Sequence, residues 1–266
     1  MKSLLTWVNI SIKESIKMVL LKDIVEFLDN ELGIKDVADS SNNGLQVSGN
    51  KEVKKIAFAV DGCMEVFEKA KDFDMIIVHH GISWDDSLKY LTGINYSRVK
   101  FLIDNNIALY AAHLPLDKHP EHGNNAEFCR IFGLKHIHGF GKYHEQMIGF
   151  AGEKEISLND FVKEINDKLN TSCNVFEFGK KQIKKIAVVS GNGGSSIVTE
   201  AVSESFDCIV TGEAGHSSYH IAKEGNLNVI AAGHYATETL GVKALMKLLK
   251  EKFDIGVKFI DAPTGL

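Results

Sequence analysis

Short apolar runs alternate with amphipathic stretches along most of this chain. The segment KKIAFAVDGCMEVFEKAKDFDMIIVHHG (54–81) opens on an apolar run of strand length, passes a turn of small residues and a helix-like stretch, and ends on a second apolar run. KKIAVVSGNGGSSIVTEAVSESFDCIVTGEAG (184–215) repeats that order, from the same Lys-Lys-Ile-Ala start to the same Phe-Asp before its second run. Each copy is followed by another amphipathic segment, a third apolar run and the pattern His-x3-carboxylate. Strand-length apolar runs separated by ten or more helical residues predict β-α-β units and a parallel or mixed sheet. The repetition therefore predicts an α/β fold of two related lobes with mixed sheets, arranged around a pseudo-twofold with a site in the cleft between them.

The first lobe is expected over 18–140 and the second over 141–266, the two forming one structural unit. MVLLKDIVEFLDNEL (18–32) carries apolar residues at helical spacing and should pack on the first sheet. A connector over 145–179 reads strand, helix, strand and attaches to the second lobe; Ser157 and Asp160 stand where an N-cap and an acidic first turn belong. MKSLLTWVNISIKESIK (1–17) lacks the apolar stretch and small-residue cleavage site of a secretory signal, so it reads as an N-terminal extension to a unit starting near Met18.

Composition narrows the function classes. At 44% hydrophobic and 24% charged, the chain has ample material for a buried core. A net charge of -5 and the lack of a dense Lys/Arg block argue against a nucleic-acid surface; KKQIKK (180–185) reads as a solvated turn leading into a strand. No stretch is apolar over the ~18 residues of a membrane span. The four cysteines are scattered without a CxxC pair, which disfavours a disulfide framework and predicts a reducing, cytoplasmic setting.

The chemistry sits at predicted strand ends, where open α/β sheets present their crevices. His79 and His80 follow the run MIIV, and both can serve one site if the strand stops there, as Gly81 allows. IALYAAHLPLD places His113 four before Asp117, and LNVIAAGHYATE places His234 four before Glu238. The two elements should differ in backbone. Pro115 and Pro120 predict a rigid loop carrying Asp117, whereas HYATETLGVKALMKLLKEKF predicts a helix with His234 and Glu238 on one face of its first turn. A mixed nitrogen and oxygen set suits Zn, Mn, Fe or Co rather than Ca or Mg. His79, His80, Asp117, His234 and Glu238 are too many for one tetrahedral ion and suit two bridged divalent ions, with His113 as a sixth ligand or a supporting donor.

Other candidates lie nearby. The turn GNGGSS (191–196), with Gly191, Gly193 and Gly194, reads equally as a phosphate cradle and as a plain tight turn. Glu213 and His216 in TGEAGHSSYH are candidates for acid/base work or substrate contact. His119 and His122 reach either a substrate or solvent.

With these residues in place, the chain resembles the Nif-three-like family of dinuclear-metal proteins, labelled GTP cyclohydrolase I type 2 homologues. The resemblance is carried by NNGLQVSG (42–49), VHHG (78–81), HLPLDKHPEHGNNA (113–126), GNGG (191–194), TGE (211–213) and AAGHYATETLGVKAL (231–245). It implies metal-ligand roles for His79, His80, Asp117, His234 and Glu238, with His113 close to the metals. It also implies two related α/β lobes and a toroidal homo-hexamer with the metal sites facing its interior. The inserted middle domain of longer members is missing here, and the chain departs from the common pattern at Ser41-Asn42-Asn43. The implied activity is that of a metal-dependent hydrolase acting on GTP or another nucleotide-like molecule. Water would attack C8 of the purine, open the imidazole ring and release formate, with Glu213, His216 or His119 moving protons and the 191–196 turn holding phosphate. The competing expectation is a non-catalytic metal-binding protein or scaffold ring.

Overall fold

The computed structural model describes residues 18–266. The extension expected over 1–17 lies outside the described residues. The first part of the chain runs β1 (Val19–Leu20), α1 (Leu21–Glu31), a short 3-10 turn, β2 (Gly44–Val47), β3 (Glu52–Val53), β4 (Lys55–Asp61), α2 (Met64–Lys69), β5 (Met75–His80), α3 (Gly93–Asp104) and β6 (Ala108–Ala111). Then come α4 (Leu114–Asp117), α5 (Asn124–Ile131), β7 (Lys135–Tyr143), β8 (Gln146–Ser157), α6 (Leu158–Leu169) and β9 (Asn174–Phe176). The chain ends with β10 (Gln182–Val189), α7 (Gly194–Ser203), β11 (Cys208–Thr211), α8 (His216–Glu224), β12 (Asn228–Ala231), α9 (His234–Phe253) and β13 (Gly256–Phe259).

Two mixed sheets result. One has the order β13-β4-β5-β6-β2, parallel except for β2. The other has the order β7-β8-β10-β11-β12-β9, with β10, β11 and β12 parallel and the outer strands antiparallel. The parallel strands are buried on both faces, which is why Ile56–Val60 in β4 and Met75–Val78 in β5 read as unbroken apolar runs.

The sequence repeat is a repeat of structure: β4-α2-β5-α3-β6 and β10-α7-β11-α8-β12 have the same order and the same strand pairing. Its Phe-Asp pair has one job in both copies. Oδ2 of Asp74 accepts from the amides of Lys54 and Lys55 at 2.8 and 3.0 Å. Oδ2 of Asp207 accepts from the amides of Lys184 and Lys185, both at 3.0 Å. The Asp74 carboxylate satisfies amides where β4 begins, and that of Asp207 satisfies amides at the irregularity early in β10.

The sheets do not follow the expected division near residue 140. β7 begins at Lys135 in the second sheet, and β13, at the end of the chain, lies parallel to β4 in the first. The cause is α9, which is apolar on more than one side. Its Leu240 packs in the second lobe with Phe128 and Phe161, while Val242, Leu245 and Leu249 pack under the first sheet against Ile24, Leu28 and Tyr110. A helix buried by both lobes delivers the chain end back to the first. Among the described residues, no helix is long and apolar enough to cross a membrane.

Candidate metal centre

Strand ends from both sheets open onto one cavity of about 410 Å³, lined by His80, His113, Asp117, Ser190, His234 and Glu238 among others. β5 stops at His80, so the histidine pair sits where the strand releases its alternation. The rings of His79 and His80 are 4.6 Å apart, and His113 lies 5.1 Å from His79.

The two His-x3-carboxylate elements share one backbone form, contrary to the loop expected at Asp117. His113 caps the single turn α4, and the Asp117 amide donates to the His113 carbonyl at 3.1 Å. Pro115 is tolerated because a first-turn residue needs no intrahelical N–H partner. His234 likewise opens α9, with Glu238 one turn on. Both elements place imidazole and carboxylate four residues apart on a helix that follows a parallel strand.

All four histidines are held at Nδ1, which leaves Nε2 as the outward atom. His79 Nδ1 donates to the carbonyl of Ala112 at 2.9 Å. Nδ1 of His80 pairs with Asp61 Oδ1 at 2.9 Å, that of His113 with Asp39 Oδ1 at 2.9 Å, and that of His234 with Glu213 Oε1 at 2.5 Å. Partners behind the ring of this kind fix the tautomer and raise the basicity of the exposed nitrogen. Asp39 is itself locked, accepting from the amides of Ser41 and Leu114.

Glu238 sits where the Nε2 atoms converge. Its Oε1 lies 3.4 Å from His79 Nε2 and 3.1 Å from His234 Nε2; its Oε2 lies 3.4 Å from His80 Nε2. Asp117 Oδ2 lies 3.6 Å from His79 Nε2. His79 is 0% exposed and Glu238 2%, yet His79 Nε2 and Glu238 Oε2 have no hydrogen-bond partner of acceptable geometry among the described residues. Buried polar atoms are seldom left so, and the pairing expected of such atoms includes metal coordination.

Electrostatics follow from this crowding. Burial pulls His80 down, but the Asp61 and Glu238 carboxylates outweigh it and raise the imidazole to about 10. Glu238 beside His234 raises that ring to about 9 against burial. Burial pushes Glu238 up, but His79 and the neighbouring imidazoles hold it well below the usual carboxylate range. A cation bound among these groups would displace protons from the imidazoles. Nitrogen donors with carboxylate oxygens fit Zn, Mn, Fe or Co. Donor atoms of His79, His80 and His113 come within 4.8 Å of one another, as do those of His80, His234 and Glu238.

The remaining candidates are placed elsewhere or used otherwise. Glu213 supports the His234 ring rather than standing free. His119 turns away: its Nε2 donates to the Glu31 carbonyl at 3.1 Å and its Nδ1 accepts from the amides of Glu121 and His122. His216 is exposed at the start of α8 and does not line the cavity. The amides of Gly191, Gly193 and Gly194 are taken by Thr237 Oγ1, Thr211 Oγ1 and Asn192 Oδ1, so these three do not present a phosphate cradle. Gly191 has a different necessity. At φ +62°, a Cβ there would lie 2.3 Å from Glu238 Oε1. Sequence reasoning missed Asp39, which lies outside the repeat, Asp61, which has no acidic counterpart in the second copy, and Trp84, whose ring stands 4.9 Å from His113.

Known proteins match along nearly all of the chain. The model of a family described as Duf34/NIF3 (NGG1p interacting factor 3) matches residues 19–264. A Pyrococcus abyssi protein named GTP cyclohydrolase 1 type 2 homolog is 48% identical over 250 residues, covering 92% of this chain and 99% of that one. An Archaeoglobus fulgidus protein of the same name is 45% identical over 248 residues, with the same 92% and 99% coverage. The crystal structure of the Thermus thermophilus protein TTHA1606 matches with a TM-score of 0.85 at 36% identity, over 93% of this chain and 100% of that one.

Proposed function

This chain belongs to the Duf34/NIF3 family, and from that premise we propose that its cleft holds two divalent ions and hydrolyses a nucleotide-like small molecule. One observation carries the reading: buried Glu238 faces the Nε2 atoms of His79, His80 and His234 with both its oxygens. His79, Asp117 and Glu238, with His113 alongside, would hold one ion; His80, His234 and Glu238 would hold the other. Ions so held supply Lewis acidity and acidify water.

The chain's own residues supply the rest. Asp61, Asp39 and Glu213 hold the Nδ1 protons of His80, His113 and His234 and so aim each Nε2 into the cleft. Trp84, Tyr143, Ile148, Val189 and Ile197 give the cavity an apolar wall, and Ser40, Asn192 and Ser196 give it polar groups to orient a substrate. The names of the relatives support a purine nucleotide as the first substrate to try. Assembly as a homo-hexamer belongs to the same reading, and the exposed Tyr90, Leu91, Ile94 and Tyr96 around α3 support an interface between copies.

The test is a nucleotide-hydrolysis screen, GTP first, on protein stripped with chelator and reloaded with single metals, following formate release and nucleotide consumption. Turnover lost on stripping and restored by one metal supports the hydrolase. Full metal loading with no turnover on any nucleotide overturns it in favour of a metal-binding or scaffold protein.

A further inference from the structure

Behind the donor atoms lies a second set of buried polar groups that neither the family match nor the ligand geometry assigns. Asn124 and Asn125 open α5 and are 0% and 1% exposed. The Asn124 side-chain amide donates to Asp117 Oδ1 at 2.9 Å, and its carbonyl oxygen accepts from the backbone amide of Gly241 at 2.7 Å. Gly241 lies inside α9, three residues beyond Glu238, and that helix also carries His234. The residue there must be glycine for so close an approach, since a Cβ would stand 2.8 Å from Asn124 Oδ1 and 2.9 Å from the Asn124 backbone nitrogen.

The hydrogen-bond pattern fixes the orientation of the Asn124 amide. A backbone N–H can only donate, so the atom facing Gly241 is the oxygen and the atom facing Asp117 is the NH2. Ser190 Oγ, at the end of β10, donates to the same Asp117 oxygen at 2.7 Å. Asn125 links the same elements: its amide donates to the carbonyls of Asp117 and Ile148, and its oxygen accepts from the Ser190 amide at 2.7 Å. With Oδ1 thus saturated by two neutral donors, Asp117 turns Oδ2 toward His79.

We propose that Asn124 is a positioning residue of the metal centre: it fixes which oxygen of Asp117 faces the metal and ties that choice to the helix that bears His234 and Glu238. This rests on the metal-centre reading above. Asp117 comes from the first half of the chain and α9 from the second, and Asn124 bonds to both through one side chain. Groups that orient a ligand from behind are worth about 10- to 100-fold in metal affinity.

The test is Co²⁺ titration of chelator-stripped protein, read by the visible d–d absorption of the bound ion, with thermal unfolding of the metal-free protein as the control for folding. Asn124→Asp keeps the size and the acceptor for Gly241 but replaces the donor to Asp117 with a second carboxylate; Asn124→Ala removes both bonds. The expected result is Co²⁺ affinity weakened about 10- to 100-fold in both variants, and a changed spectrum at saturating Co²⁺, which loss of stability alone would not produce. Ser190→Ala, which removes the other donor to the same oxygen, gives the same reading should either Asn124 variant not fold. Folded variants with wild-type affinity and an unchanged spectrum overturn the proposal while leaving the metal centre standing. A wild-type protein that takes up no Co²⁺ overturns the metal centre, and the proposal with it.

Discussion

Nε2 of His79 lies 3.4 Å from Oε1 of Glu238, with both side chains shut away from solvent. Their burial is costly unless something satisfies it, since an unpaired buried charge loses several kcal/mol of hydration. Asp117, His80 and His234 surround the same point. The two divalent ions proposed for the cleft would between them satisfy these groups.

Glu238→Gln tests this with a change of one atom. The amide keeps the volume but loses the charge shared by the imidazoles on either side. Metal content by elemental analysis should fall from about two ions per chain to one or none. Wild-type content in this variant would show that Glu238 is not a ligand.

Gly191→Ala approaches the same carboxylate from the backbone. The added methyl would meet Glu238 Oε1 at 2.3 Å, and the residue sits at φ +62°, where an L side chain costs about 1–2 kcal/mol. The variant should lose both stability and metal, whereas Gly194→Ala, which carries the same backbone strain at φ +68° but meets nothing at its Cβ, should lose stability and keep its metal. Equal metal content in the two variants would contradict this account of the turn.

Much of this was legible in the sequence because parallel strands buried on both faces leave continuous apolar runs. β5, β6 and β12 are such runs: His79 and His80 end the first, and the His113–Asp117 and His234–Glu238 elements follow the other two. The β-α-β repeat was legible for the same reason. The partners behind the rings were not. Asp39 and Asp61 are isolated acids in sequence, and only the fold brings them 74 and 19 residues along the chain to His113 and His80. Nor does any local signal show that His119 is bonded to α1, or that β13 crosses to the first sheet; both depend on tertiary packing.

Those hidden partners are open to test. Asp61→Asn and Asp39→Asn leave the ligands intact but weaken the grip on the Nδ1 of His80 and His113. Each should cost about 10- to 100-fold in metal affinity by competition against a chelator of known strength. Affinity within about twofold of wild type in both variants would mean that the rings are oriented by packing alone.

Asp207 gives a prediction in pH. Burial pushes its carboxyl up, but Lys180 and the amides of Lys184 and Lys185 outweigh that and hold it below its ordinary value. A depressed carboxyl contributes its stability above the unfolded value of about 3.9 and loses it as pH falls through the lower folded value. Asp207→Asn should therefore be less stable than wild type by about 1–2 kcal/mol at neutral pH, the difference shrinking below about pH 4. A difference that stays constant to about pH 2 would contradict this role.

Metal content per chain measures most directly whether this cleft is a metal centre. Protein purified without chelator or a metal-binding tag, analysed before and after stripping and reloading, should carry close to two divalent ions per chain, lost on stripping and regained on reloading. A chain that takes up no metal even after reloading would contradict the account.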